Sequence, residues 1–179
     1  IKTSDPLGMA LIFTLYAIVM LSLYGGKLPT IFIKRMKTNP YEARMRAMLI
    51  FAFIPLVVLF AQPLGTYSPW FPVILIGIGC AAHQSWSANI YTTVSDMFPK
   101  NAIATVTGIG GMAGGVSSML MQACAGNLFV YADEVQLEFL GFVGKPAGYF
   151  IIFCICSVAY LVGWIIMKTL VPRYKIIGS

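Results

Sequence analysis

Charged residues are scarce in this 179-residue chain, at 10% of the sequence, whereas soluble domains typically hold roughly 25%. Among the charged residues the acidic ones are the fewer, with 6 Asp and Glu against 12 Lys and Arg. Hydrophobic residues make up 59% and the mean hydropathy is +0.83. A water-soluble fold of this composition would expose large apolar patches, so the composition excludes an ordinary soluble domain and indicates a membrane protein.

Motifs of enzymes and metal sites are also missing. The sequence has no GxSxG, no HExxH and no paired carboxylates within an apolar segment, and its glycine run is not followed by GK[ST]. The four cysteines lie inside apolar runs without CxxC or Cys/His spacing. We therefore expect no enzymatic activity, no metal and no cofactor. The net charge of +6 does not indicate nucleic-acid binding, because the basic residues lie at the ends of apolar segments.

Five apolar segments are long enough to cross a bilayer, which requires ~20 helical residues. Gly25-Gly26 and Pro29 should break or kink the first, and Pro55 should bend the second. The fold class is therefore predicted to be an all-α membrane protein with five transmembrane helices. The chain opens without Met or a signal peptide, and we expect it to be a piece of a longer protein. The segments cover about residues 7–33, 45–61, 71–98, 102–130 and 147–170.

Lys and Arg are distributed unequally between the two sides of the membrane. The 34–46 loop, the 99–101 turn and the C-terminal tail are basic, whereas the 62–70 loop is uncharged and the 131–146 loop is mainly acidic. The positive-inside rule places the basic regions, including the C-terminus, in the cytoplasm. Alternation of five spans gives the same orientation.

The third segment carries polar and aromatic residues at its middle, where polar groups usually line a cavity or a path. At 100° per residue, one arc of the helix holds a candidate ligand set. Gln84 and Ser87 would hydrogen-bond a hydroxylated ligand, and Trp86 or Tyr91 would stack on a sugar ring. The alternative is hydrogen bonding between helices. The arc consists of His83, Gln84, Trp86, Ser87 and Tyr91.

Three further polar residues of this segment have open roles. Asn89 lies on the other side of the helix and either binds ligand or packs against a neighbouring helix. His83 is either a neutral partner of a neighbouring helix or a proton site or ligand donor. Asp96, at the end of the segment, is interpreted as a gate or a loop-pairing residue, with Lys100 or Arg46 as its partner.

The fourth segment contains glycines at GxxxG spacing, Gly110 with Gly114 and Gly111 with Gly115. Such pairs let two membrane helices approach closely. They predict that the fourth helix packs against the polar third helix.

Residues 82–115, AHQSWSANIYTTVSDMFPKNAIATVTGIGGMAGG, resemble the tenth and eleventh helices of major facilitator transporters. The similarity is greatest to the anion:cation symporter branch and its bacterial hexuronate (glucuronate and galacturonate) transporters. Residues 25–29, GGKLP, and 33–35, IKR, resemble that branch's eighth helix and the basic loop after it. The resemblance covers essentially the whole chain, as helices eight to twelve of twelve.

The resemblance implies the C-terminal half of a transporter of the bacterial inner membrane, without its first helix. It implies proton-coupled symport of a sugar acid by alternating access. The partners would be the organic anion, protons, the lipid bilayer and an N-terminal half that supplies the coupling carboxylate and the substrate-binding arginine. The alternative is a non-transporting scaffold or assembly subunit whose glycine helix drives oligomerisation.

Overall fold

The computed structural model describes residues 5–174 and residue 176. Eight α-helices, one 3-10 helix and one short β-hairpin make up these residues. In chain order they are α1 (Pro6–Val19), α2 (Ser22–Gly25), α3 (Leu28–Met36), α4 (Pro40–Phe53), the 3-10 helix (Ile54–Phe60), α5 (Ala61–Gly65), α6 (Trp70–Met97), α7 (Lys100–Glu134), β1 (Glu138–Phe139), β2 (Phe142–Val143) and α8 (Lys145–Leu170).

The first apolar segment is interrupted where glycine and proline occur. α2 ends at Gly25, and Gly26 follows it as the C-cap. Pro29 lies in the first turn of α3, where its missing N–H costs no helical hydrogen bond. The predicted break is therefore confirmed between α2 and α3. A further interruption at Met20 and Leu21, which separates α1 from α2, was not predicted and involves neither glycine nor proline.

The second apolar segment changes its helical type at Pro55. Asn39 caps the start of α4, where its side-chain oxygen accepts a 2.8 Å hydrogen bond from the Glu42 backbone N–H. Pro55 lacks the N–H that would continue the α-helical pattern. The chain continues as the 3-10 helix, so proline tightens the helix here as well as interrupting it.

Within the described residues, four helical stretches are long and apolar enough to cross a membrane: Pro6–Met36, Pro40–Gly65, Lys100–Glu134 and Lys145–Leu170. A fifth long helix, α6, has 28 residues and extends ~42 Å, which exceeds the ~30 Å apolar core of a bilayer. Its polar middle makes it less apolar than the other four. The chain is thus an all-α membrane protein.

The predicted 131–146 loop is largely ordered. α7 continues to Glu134, and β1 and β2 then form an antiparallel hairpin in which Glu138 pairs with Val143. Gln136, Leu140 and Gly144 have positive φ angles, which turn the chain sharply at the two ends of the hairpin. The hairpin therefore joins α7 to α8 by a short connection.

α6 is the central helix of the bundle, packed against α1, α2, α4, α5 and the 3-10 helix. Trp86 joins a core cluster with Met48 and Phe51, and α8 borders this cluster through Trp164. The Trp164 indole N–H donates a 2.8 Å hydrogen bond to the Met45 carbonyl. α7 is peripheral, because Ala132 is its only buried residue in the described chain.

Candidate functional site

The polar cluster of α6 is divided between a packed side and an open side. Asn89 is buried, whereas Gln84 and Tyr91 are exposed and Ser87 is half-buried. α1, α2 and α4 cover the packed side. The open side presents the polar side chains to a small molecule, whereas a cavity of about 290 Å³ on the packed side, beside Ser85, is lined almost entirely by apolar residues.

Trp86 does not line the open side. It is 6% exposed, and its ring meets that of Tyr160 edge-on, with 5.5 Å between centroids. It lies at the edge of the predicted arc, so a small rotation of α6 is enough to bury it. The structure therefore gives Trp86 a packing role, and a ligand could stack on it only after the core opened.

The packed side satisfies its polar groups mostly within α6. Ser85 Oγ donates a 2.8 Å hydrogen bond to the Ala81 carbonyl, and Asn89 Nδ2 donates a 2.8 Å bond to the Ser85 carbonyl. Asn89 Oδ1 is buried without a hydrogen-bond partner among the described residues. Asn89 thus lies in the contact between helices.

Ser85 also marks the closest approach of two helices. A Cβ placed on Gly25 would lie 2.1 Å from Ser85 Oγ and 2.4 Å from Ser85 Cβ. Real Cβ atoms essentially never come within 3.0 Å of another heavy atom. Only glycine therefore fits where α2 crosses α6.

His83 forms a hydrogen bond with a neighbouring helix. Its Nδ1 atom lies 2.5 Å from the hydroxyl of Tyr160 on α8, and the two rings meet edge-on. Both residues line a cavity of about 370 Å³ between α6, α8 and the 3-10 helix, beside Cys80 and Cys156. This geometry is the one expected if His83 pairs with a neighbouring helix. Tyr160, within a continuous apolar run, carried no sequence signal.

A second cavity brings predicted site residues together with a new one. It measures about 180 Å³ and lies between α6 and α7. Ser87 and Tyr91 line one wall and Thr107 the other, with apolar residues and Gly110 between them. Three residues that carry hydroxyl groups thus border one small space, which suits a ligand that carries several hydroxyls. Thr107 was not predicted, because a single threonine in an apolar run has no spacing signal.

The glycines of α7 face open space in the described chain. A Cβ placed on Gly110, Gly111, Gly114 or Gly115 would meet no heavy atom within 4 Å. They therefore make no close contact with α6 or with another described helix. Their packing role stays a prediction, and its partner has to lie outside the described residues.

Asp96 pairs with Arg44, and not with Lys100 or Arg46 as expected. The Arg44 Nε atom lies 2.6 Å from Asp96 Oδ2, and the two side chains are 18% and 26% exposed. The Arg46 guanidinium is directed instead at the Met36 sulfur, 3.4 Å away. Residues 44 and 46 point to different sides of α4, so the packing of α4 on α6 selects the partner. This ion pair joins the start of α4 to the end of α6.

No group of three or more His, Cys, Asp and Glu residues is placed to hold a metal ion in the part of the chain that the structure describes. The site is thus built from neutral hydroxyl and amide groups, with one ion pair beyond it. Such groups bind and orient polar ligands.

Comparison with known proteins identifies two similar transporters. The hexuronate transporters of Escherichia coli strain K12 and of Escherichia coli O157:H7 are each 32% identical to this chain over 107 residues. The match covers 58% of the chain but 24% of each relative, so it spans about a quarter of their length. No protein-family model matches the chain, and no solved structure is significantly similar to it.

Proposed function

We propose that this chain forms part of a secondary transporter for a hexuronate-type organic anion. The similarity to two hexuronate transporters is the observation that carries the proposal. The hydroxyl-lined cavity between α6 and α7 supports it. Each substrate hydroxyl that leaves water needs a partner inside the protein, because an unmade hydrogen bond costs ~1–3 kcal/mol.

In this proposal the five spans are helices eight to twelve of a major facilitator transporter of the inner membrane. A helical half outside this chain would supply the substrate-binding arginine and the proton-coupling carboxylate. Rocking of the two halves would expose the cavity to each side in turn. The open face of α7, where Gly111 and Gly115 lie, would contact that other half.

Within the site, Ser87, Tyr91 and Thr107 would hold substrate hydroxyls. Gln84 lies exposed on the same side of α6, about one turn from Ser87, and would add an amide at the edge of the site. His83 is held by Tyr160 on the α8 side, so its role is to fix α6 against α8.

A scaffold or assembly subunit is the second candidate function. The exposed glycine face of α7 favours it, because such a face is suited to contact with another membrane helix. Transport activity distinguishes the two candidates.

The protein in its full length should accumulate labelled glucuronate in proteoliposomes when an inward proton gradient is imposed. A protonophore should reduce uptake to equilibration, and unlabelled galacturonate should compete whereas uncharged glucose should not. The protonophore should act in this way because symport uses the free energy of the proton gradient. The competition results are expected because the site would select a sugar acid. Absence of hexuronate uptake, together with stable homo-oligomers, would favour the scaffold.

The proposed topology predicts one-sided labelling. A cysteine introduced at the exposed Asn101 should react with an impermeant thiol reagent only from the cytoplasmic side. One at Gln136 should react only from outside, because the Lys and Arg residues are concentrated on the other side. Labelling of positions 101 and 136 from one face would refute this topology.

We also propose that the Arg44–Asp96 pair acts as a gate at the cytoplasmic end of the bundle. Asp96→Asn and Arg44→Gln should each slow uptake, and the double variant should lose less than the two single losses combined. A coupling energy of about 1 kcal/mol is expected for a partly exposed pair. Arg46→Gln is the matched control, since the Arg46 guanidinium is directed at Met36 and not at Asp96. If the losses in initial uptake rate of the two single variants add strictly in the double variant, the two residues act independently and the gate proposal is wrong.

A further inference from the structure

The cavity with the largest volume among those described, about 680 Å³, lies between α6, α8 and the segment that follows α8. We call it the tail cleft. Its walls are mainly apolar, and Arg173 lies at the end formed by the C-terminal segment. The apolar wall includes Ile90, Val94, Phe98, Met167 and Leu170.

The segment that closes the tail cleft is held in place by hydrogen bonds. The Tyr41 hydroxyl donates to the Val171 carbonyl. The Lys168 ammonium donates a 3.2 Å bond to the Pro172 carbonyl, and the Tyr174 hydroxyl donates a 3.2 Å bond to the Asp96 carbonyl. Arg173 is therefore positioned by anchored residues on both sides.

The charge at this end of the bundle is positive. The carboxylate of Asp96, one residue before Met97 of the cleft wall, is neutralised by Arg44. Lys168 lies over the Tyr41 ring, 5.7 Å from its centroid. Arg173 is exposed and forms no ion pair with a described residue. A cation without a counter-ion among the described residues thus lies beside an apolar cleft between two membrane helices.

We propose that the tail cleft binds one anionic phospholipid. Arg173 holds the phosphate, for which the planar guanidinium fork is suited, and one acyl chain lies along α6 from Phe98 to Ile90. These eight residue steps span about 12 Å, the length of a substantial part of an acyl chain. Basic pockets between membrane helices recognise anionic headgroups in this way. A charged end and a long apolar wall fit a phospholipid better than a soluble anion, which would leave the wall empty.

Native mass spectrometry of the purified full-length protein tests this site. Phosphatidylglycerol and phosphatidylcholine with identical acyl chains are titrated separately. Phosphatidylglycerol should bind with higher affinity, and Arg173→Gln should weaken its binding about five-fold, as expected for one basic residue at a membrane surface. Arg35→Gln on α3 is the matched control, with the same change of charge at an exposed position. Equal weakening by both variants would overturn the proposal in favour of general surface attraction.

The apolar wall is tested separately. Val94 borders both the tail cleft and the α6–α7 cavity, so lipid binding and not uptake is the measurement for this variant. Val94→Phe should narrow the tail cleft and reduce phosphatidylglycerol binding while Arg173 is intact. Val116→Phe, at an exposed position of α7, should not. Normal lipid binding by Val94→Phe would refute an acyl chain in the cleft. If the purified protein is a dimer and Val94→Phe dissociates it without changing lipid binding, the cleft is a contact between copies and the proposal is wrong. Arg173→Gln alters an exposed side chain and keeps the test valid if Val94→Phe fails to fold.

Discussion

Gly25→Ala should destabilise the protein by about 1–3 kcal/mol, the usual cost of overpacking, whereas Gly26→Ala should change its stability little. The added Cβ at residue 25 would lie 2.1 Å from Ser85 Oγ, and Ser85 Cα on the α6 backbone is only 3.2 Å away. A new rotamer of Ser85 removes the first contact but not the 2.4 Å contact with Ser85 Cβ. α2 must therefore move away from α6.

Gly26 is a matched control for this substitution. It is the next residue in the chain, its φ angle of −69° suits alanine, and no heavy atom lies within 4 Å of the position that an added methyl group would take. Thermal unfolding in detergent should give a lowered midpoint for Gly25→Ala alone. Adding Ser85→Gly should recover part of the loss, because it removes both close side-chain atoms. Equal midpoints for the two single variants would contradict the close crossing of α2 and α6.

Sequence predicted best those features that depend on local backbone chemistry. The break at Gly25-Gly26 and Pro29 follows from what glycine and proline do to any helix. The sequence also marked Pro55 as a disturbance of the second segment, but it predicted a bend and not the 3-10 helix that the structure shows there. The apolar runs predicted the long helices, since each run needs a spanning helix to satisfy its backbone in lipid. These features need no knowledge of neighbouring helices.

Features that depend on neighbouring helices were predicted less well. The GxxxG pairs of α7 have the expected spacing but face open space, whereas Gly25, without that spacing, fills the tightest crossing. Similarly, Arg44 and Arg46 differ by two positions, and only the packing of α4 on α6 decides which one reaches Asp96. The helical arc of α6 located the open side, but its edge residue Trp86 is buried.

Thr107→Val and Tyr91→Phe should each lower the apparent affinity for a hexuronate by roughly 5- to 150-fold, the equivalent of ~1–3 kcal/mol. Each substitution keeps the shape of the side chain and removes one hydroxyl from the α6–α7 cavity. A substrate hydroxyl that has left water would then lack its partner. The measurement is the concentration dependence of glucuronate uptake by the full-length protein, with surface expression measured in parallel.

Two controls separate binding from folding. Thr105→Val makes the same chemical change two residues away, at an exposed position of α7 that does not line the cavity, and should leave affinity unchanged. Asn89→Ala removes a buried side chain from the packed side of α6 and should lower thermal stability more than affinity. Gln84→Ala should weaken affinity by less than Tyr91→Phe, because Gln84 lies outside the cavity wall. If Asn89→Ala abolishes binding while Thr107→Val and Tyr91→Phe bind normally, the substrate occupies the packed side of α6, and the assignment of the site to the α6–α7 cavity is wrong.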